Sequence, residues 1–135
     1  MKQIWIIDDD EEMIRAVQLM LKLLKQESSF FIGARPAAQA LLAGQCPDLI
    51  ILDINMPEVS GVDFLGFLRS RRECKDIPVI MLSTEAADMT VDLALAFGAD
   101  AYVTKPVTVE ELDQAMQKAF KIHGKEYISK ERKTK

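Results

Sequence analysis

Several residue types are scarce in this chain, and each scarcity closes a route. There is one histidine in 135 residues, and there are two cysteines. Cys46 and Cys74 share no metal-ligand spacing, so free thiols in a reducing compartment are expected rather than a zinc centre or a disulfide. No apolar run approaches the ~20 residues of a membrane span. The start has no basic-then-apolar leader, so the expected location is the cytoplasm, with no membrane partner. Positive charge is in deficit, with 17 Lys and Arg against 21 Asp and Glu and a net charge of −4. Five of the seventeen stand in the last twelve residues. Lys125, Lys130, Arg132, Lys133 and Lys135 stand there against Glu126 and Glu131, which leaves the residues before Gly124 at net −7. An acidic body argues against nucleic acid as a direct partner and suits metal binding. No apolar period follows Ile128, so the chain divides into a domain over 1–122 and a basic, disordered tail or linker over 123–135.

What remains is ordinary for a single globular domain, with 49% hydrophobic and 28% charged residues,. Its pattern alternates strand and helix five times. Ile4–Ile7 is an apolar run that stops at Asp8-Asp9-Asp10, where Asp10 is placed to cap a helix running to about Lys25. Ser29–Ile32 is a short second strand ended by Gly33. Pro36 opens the second helix and Gly44 closes it. Leu49–Leu52 is the third strand, followed by Asp53 and then by Pro57 and Gly61. Ser60 caps a third helix whose apolar face includes Phe64 and Phe67, and Arg69, Arg71 and Arg72 crowd its carboxyl end. Val79–Leu82 ends at Ser83-Thr84. A fourth helix spans roughly 89–97 and stops at Gly98. Ala101–Thr104 is the fifth strand, ended by Lys105-Pro106. Thr108 and Glu111 form a capping box for a fifth helix, and His123 complements the dipole at its end. Helices between strands imply right-handed crossovers and a parallel sheet covered on both faces.

Polar residues interrupt this pattern at the carboxyl ends of strands, which share one rim in a parallel sheet. Asp8 and Asp9 follow the first strand, Asp53 the third, Ser83 the fourth and Lys105 the fifth. Two carboxylates about 5 Å apart repel by roughly 3 kcal/mol at an effective dielectric near 20, so clustered acids there need a counterion. Oxygen donors without His or Cys favour magnesium, which keeps waters that a phosphate can displace. A carboxylate can then act as a nucleophile toward phosphorus, with Lys105 and the Ser83 hydroxyl on the phosphoryl oxygens. The product is an acyl phosphate on Asp53.

At this point the sequence resembles a known family. Asp8-Asp9, Asp53-x-x-Met56-Pro57 with Gly61, Ser83 and Lys105-Pro106, in this order and over roughly residues 2 to 122, are similar to the CheY-like receiver domain of two-component response regulators. The resemblance implies a flavodoxin-like (βα)5 fold of the α/β class, a doubly wound parallel sheet in three layers with strand order 2-1-3-4-5. It implies that Asp53 accepts a phosphoryl group from a histidine kinase or a small acyl phosphate. Asp9, Asp53 and the backbone carbonyl of Asn55 would hold Mg2+, with Mn2+ as a substitute, and Asp8 would assist through water. Ser83 would be the switch hydroxyl, and Tyr102 the ring that reports it on a face made by the fourth helix, fifth strand and fifth helix. A downstream protein would bind that face, where weak homodimerisation on phosphorylation is also compatible. Lys105 would bind the phosphoryl group, and the bond before Pro106 would be cis. Asn55 and Glu85 occupy the positions that set phosphate lifetime, and the pair resembles that of fast-cycling chemotaxis regulators, so self-catalysed dephosphorylation is expected.

Two rivals bear on this reading. Asp8-x-Asp10 superficially resembles the haloacid dehalogenase signature of magnesium-dependent phosphatases, but Glu12 and Lys105-Pro106 stand where that family has other residues. The second rival is a longer regulator whose output domain, DNA-binding for example, lies outside these residues. No helix-turn-helix follows the fifth helix, so a stand-alone receiver acting through protein contacts is expected.

Overall fold

The computed structural model describes residues 3–84 and 88–127, with 88–91 in their backbone only. Five strands and five helices alternate through them: β1 (Gln3–Asp8), α1 (Glu11–Leu23), β2 (Glu27–Ile32), α2 (Ala34–Leu42), β3 (Leu49–Asp53), α3 (Gly61–Ser70), β4 (Val79–Ser83), α4 (Asp88–Ala96), β5 (Ala101–Thr104) and α5 (Val109–Ile122). The strands form one parallel sheet in the order β2-β1-β3-β4-β5. β1 and β3 are therefore neighbours where the winding direction reverses.

Local chemistry sets the helix starts. The Asp10 carboxylate accepts from the backbone N–H groups of Glu12 and Met13, the Ser60 hydroxyl from Asp63, and Thr108 with Glu111 completes the reciprocal capping box,. α2 begins at Ala34, two residues before Pro36, with Gly33 as an N-cap that has no side chain to offer. A proline is tolerated at the third helical position as at the first, because none of the four leading N–H groups has an intrahelical partner. Gly98 ends α4 at φ +107°.

Successive residues of the central strands point to opposite faces and build two cores. Trp5, Ile7, Ile50, Leu52, Val79 and Met81 pack under α2 and α3, and Ile4, Ile6, Leu49, Ile51, Ile80 and Leu82 pack under α1 and α5. Burial of each such side chain contributes about 1.5 to 3 kcal/mol, which is why strands covered on both sides are apolar throughout. Phe64 is buried and stacks on half-buried Phe67 at 5.8 Å between centroids. Cys46 and Cys74 are free thiols. No described helix is long and apolar enough to cross a membrane.

The basic run at the end of α3 does more than complement a dipole. Arg69 donates to the carbonyls of Gly98, Lys75 and Ile77 and to the Asp100 carboxylate at 2.8–3.1 Å. The same Asp100 oxygen accepts from the Val79 N–H at 2.8 Å and lies 2.9 Å from His123 Nε2. Burial holds the Arg69 guanidinium below its ordinary pKa, against the opposing pull of Asp100 and Asp76. The chain also packs beyond α5. Tyr127 stacks on Phe120 at 5.3 Å and donates to the buried Asp113 carboxylate at 2.9 Å. Residues 128–135, the greater part of the basic tail, lie outside the described residues.

Candidate functional site

β1 and β3 end side by side, and each delivers an acid to the rim. Asp8 is wholly buried, Asp53 is 3% exposed, and Asp9, past the end of β1, is exposed. One carboxylate oxygen from each of the three lies within 4.8 Å of the others. β5 is not adjacent to β3, but the chain leaving it turns back across the rim, where the Lys105 N–H donates to the Ser83 carbonyl at 2.8 Å. That turn places Lys105 Nζ 3.2 Å from Asp53 Oδ1 and 3.5 Å from Asp8 Oδ2. The Lys105–Pro106 peptide is cis.

The sequence stops β3 at Asp53 by a close approach. Ile54 N–H donates across to the Leu82 carbonyl, and Gly61 N–H donates back to the Ile54 carbonyl at 2.8 Å. A Cβ on Gly61 would collide with the carbonyl oxygen of Asp53, so α3 can start beneath the acid only from a glycine,.

Charge is unbalanced in this site. Burial pushes the Asp53 carboxyl up to about 6, with Asp8 adding to the rise and Lys105 opposing it. Burial raises Asp8 as well, against the Asp10 N–H that donates to its Oδ1 at 3.0 Å and against the Lys105 charge. For Lys105 burial works against the ammonium, but Asp53 and Asp8 outweigh it and hold its pKa above the ordinary value. Lys105 thus pairs with two of the three clustered acids. Asp8 Oδ2 is buried without a hydrogen-bond donor. A buried, undonated carboxylate oxygen beside two further acids fits a hard divalent cation, and this donor set suits magnesium.

The remaining expected residues are placed as follows. Ser83 is buried at the end of β4, paired in register with Thr104, with its backbone carbonyl bound by Lys105. Asn55 is exposed just after β3, and its backbone N–H donates to the Asp53 carboxylate. Tyr102 is half-buried on β5, opposite Met81, and packs against the α2–α3 core. Glu85 lies outside the described residues. Five strand-end residues separated by up to 97 positions therefore meet on one rim. Sequence reasoning passed over Arg35 and Glu58, whose side chains meet at 3.1 Å beside Asp9. No local signal marks that pair, since 23 residues separate its members.

A model of the response regulator receiver domain matches residues 4–117. Among curated proteins, the transcriptional regulatory protein CpxR of Escherichia coli K12 is 37% identical over 113 residues, covering 83% of this chain and 46% of that protein. KdpE of Mycobacterium tuberculosis, also a transcriptional regulatory protein, is 37% identical over 113 residues, covering 82% of this chain and 47% of its own. The chain thus spans about half the length of these relatives. Among solved structures, the chemotaxis protein CheY4 of Vibrio cholerae superposes with a TM-score of 0.79 at 29% identity, over 88% of this chain and 98% of that one. A receiver domain from the sensor histidine kinase PA1611 of Pseudomonas aeruginosa PAO1, solved with magnesium in its active-site cleft, shares the fold with a TM-score of 0.78 at 21% identity, over 87% of this chain and 96% of that one. The chain belongs to the receiver-domain family of two-component response regulators. Its strand order and its five strand–helix units are those of the CheY-like flavodoxin fold. Membership sets the dehalogenase reading aside.

Proposed function

We propose that this domain takes a phosphoryl group onto Asp53 from the phosphohistidine of a histidine kinase, or from a small acyl phosphate, and signals through the resulting charge. The observation that carries this reading is the cluster of Asp8, Asp9 and Asp53, with the Lys105 ammonium on two of them. Asp9, Asp53 and the Asn55 carbonyl would hold magnesium, with Asp8 assisting through water. When bound, the ion supplies positive charge to the phosphoryl oxygens.

The side chains of the chain itself divide the remaining work. Asp53 is held at the tip of β3 by the bonds at Ile54 and Gly61, so its carboxylate is oriented before the donor arrives,. Lys105 lies 3.2 Å from that carboxylate and is placed to follow a phosphoryl oxygen once Asp53 no longer bears the charge alone,. The Ser83 hydroxyl, at the adjacent strand tip, donates to another oxygen. A shift of Ser83 is felt along β4 and by Tyr102 on β5, and a downstream protein would dock on the neighbouring surface of α4, β5 and α5, where Leu93 and Phe97 are exposed at and just beyond the end of α4. Asn55 and Glu85 would set how fast water removes the group, so the domain assists its own dephosphorylation. Output follows through a protein contact or through a further domain like those of the longer relatives.

Intact mass after incubation with acetyl phosphate and magnesium tests the reading. A gain of one phosphoryl group by the native chain, absent in Asp53→Asn, is expected. A gain that survives the substitution, or no gain from either acetyl phosphate or a phosphohistidine donor with the fold intact, would sink it.

A further inference from the structure

Beside the acid cluster the structure opens a cleft of about 460 Å³ between the start of α2 and the loop from β3 to α3. Asp9 is one of its lining residues, and Ile32, Pro36, Pro57 and Val59 give it apolar walls. Arg35 and Glu58 stand in this cleft with Nε and Oε1 3.1 Å apart. Arg35 is the one cation among the described residues that line it.

The two partners differ in freedom. Glu58 sits at φ +69° inside a tight turn closed by the Val59 N–H on the Pro57 carbonyl at 2.7 Å, so its backbone is fixed without Arg35. Arg35 projects from the first turn of α2 with its side chain 72% exposed. An ion pair this open holds weakly, and the guanidinium is free to exchange one carboxylate for another.

Resting on the reading that Asp53 is the acceptor, we propose that Arg35 determines donor specificity by receiving the carboxylate that leaves an acyl phosphate. In that transfer an Asp53 oxygen forms a bond to phosphorus as the bond from phosphorus to the acyl oxygen breaks. The electron pair departs with the acyl oxygen, and the leaving group is a carboxylate that needs a cation rather than a proton. Lys105 is engaged by Asp53 and Asp8, so Arg35 is the cation available on the Asp9 side. The apolar walls suit the carbon end of the same molecule. A phosphoramidate differs in chemistry, because its phosphorus–nitrogen bond breaks, the pair goes to nitrogen, and a solvent proton completes a neutral amine. Arg35 offers that leaving group nothing.

The test compares initial rates of phosphorylation, read by intact mass at one magnesium concentration, with acetyl phosphate and with phosphoramidate. Arg35→Gln is expected to slow acetyl phosphate about three- to fivefold, the size of a solvent-screened ion contact, and to leave phosphoramidate unchanged. Glu58→Gln, which frees the guanidinium, is expected to quicken acetyl phosphate alone. Both effects shrink in high salt. Equal slowing of both donors by Arg35→Gln, or of neither, would overturn the proposal while leaving Asp53 as acceptor. Phosphorylation of the native chain by a phosphohistidine donor but by neither small donor would overturn the proposal alone, and phosphorylation by none of the three would overturn both.

Discussion

Asp53 carries its charge against the preference of its surroundings. Its carboxyl is raised to about 6 chiefly by burial, so near neutral pH the folded state holds an ion that the unfolded chain would hydrate more easily,. A raised pKa stabilises the fold fully below the unfolded value near 4, and that contribution is lost as pH rises through 6. Asp53→Asn removes the titration but keeps the shape. Without metal, the variant is expected to be more stable than the native chain at pH 7.5 by about 1 to 3 kcal/mol, with the gap closing toward pH 4. Urea unfolding across that range measures it, and a gap independent of pH would show that burial of the charge is not its origin. Magnesium should reverse the order near neutrality, because it binds the folded native chain and restores what burial removed.

Elements begin and end here by local chemistry, and α3 shows how strictly. Gly61 and Gly66 lie in the same helix, yet a Cβ at Gly61 meets the Asp53 backbone while one at Gly66 meets nothing within 4 Å. Gly61→Ala is expected to cost about 1 to 3 kcal/mol through forced displacement of the β3 tip. Gly66→Ala is expected to stabilise by about 0.5 to 1 kcal/mol, since alanine loses less backbone freedom in a helix. Thermal unfolding of the two variants should move in opposite directions. Caps at Asp10, Ser60 and Thr108 were all legible in the sequence because each depends on residues two or three positions away. The start of α2 was less so, since a proline within the first turn marks the helix start only to within two residues.

For the whole molecule, the described contacts continue past α5. His123 reaches Asp100 and Tyr127 reaches Asp113, each a buried carboxylate. A chain ended after Ile122 leaves both acids short of a partner and uncovers Phe120, and is expected to lose about 2 to 4 kcal/mol. The full-length chain is the reference for that loss. Denaturant unfolding of the pair decides it, and equal stability of both would show that the segment after α5 adds nothing to the fold.

The five strand–helix units, their caps, the parallel sheet buried on both faces, and the strand-end positions of Asp8, Asp9, Asp53, Ser83 and Lys105 are readable from the order of residues alone. These follow from periodicity and from chemistry within a few residues, which act on the chain before it is compact. It takes the folded chain to bring one ammonium to both Asp8 and Asp53, to leave Asp8 Oδ2 without a hydrogen bond, to bring Arg69 and His123 to the same Asp100 oxygen, and to join Arg35 to Glu58 beside Asp9. Those contacts join residues 23 to 97 positions apart. They depend on strand order and on where each loop turns back across the sheet, which no local pattern in the chain encodes.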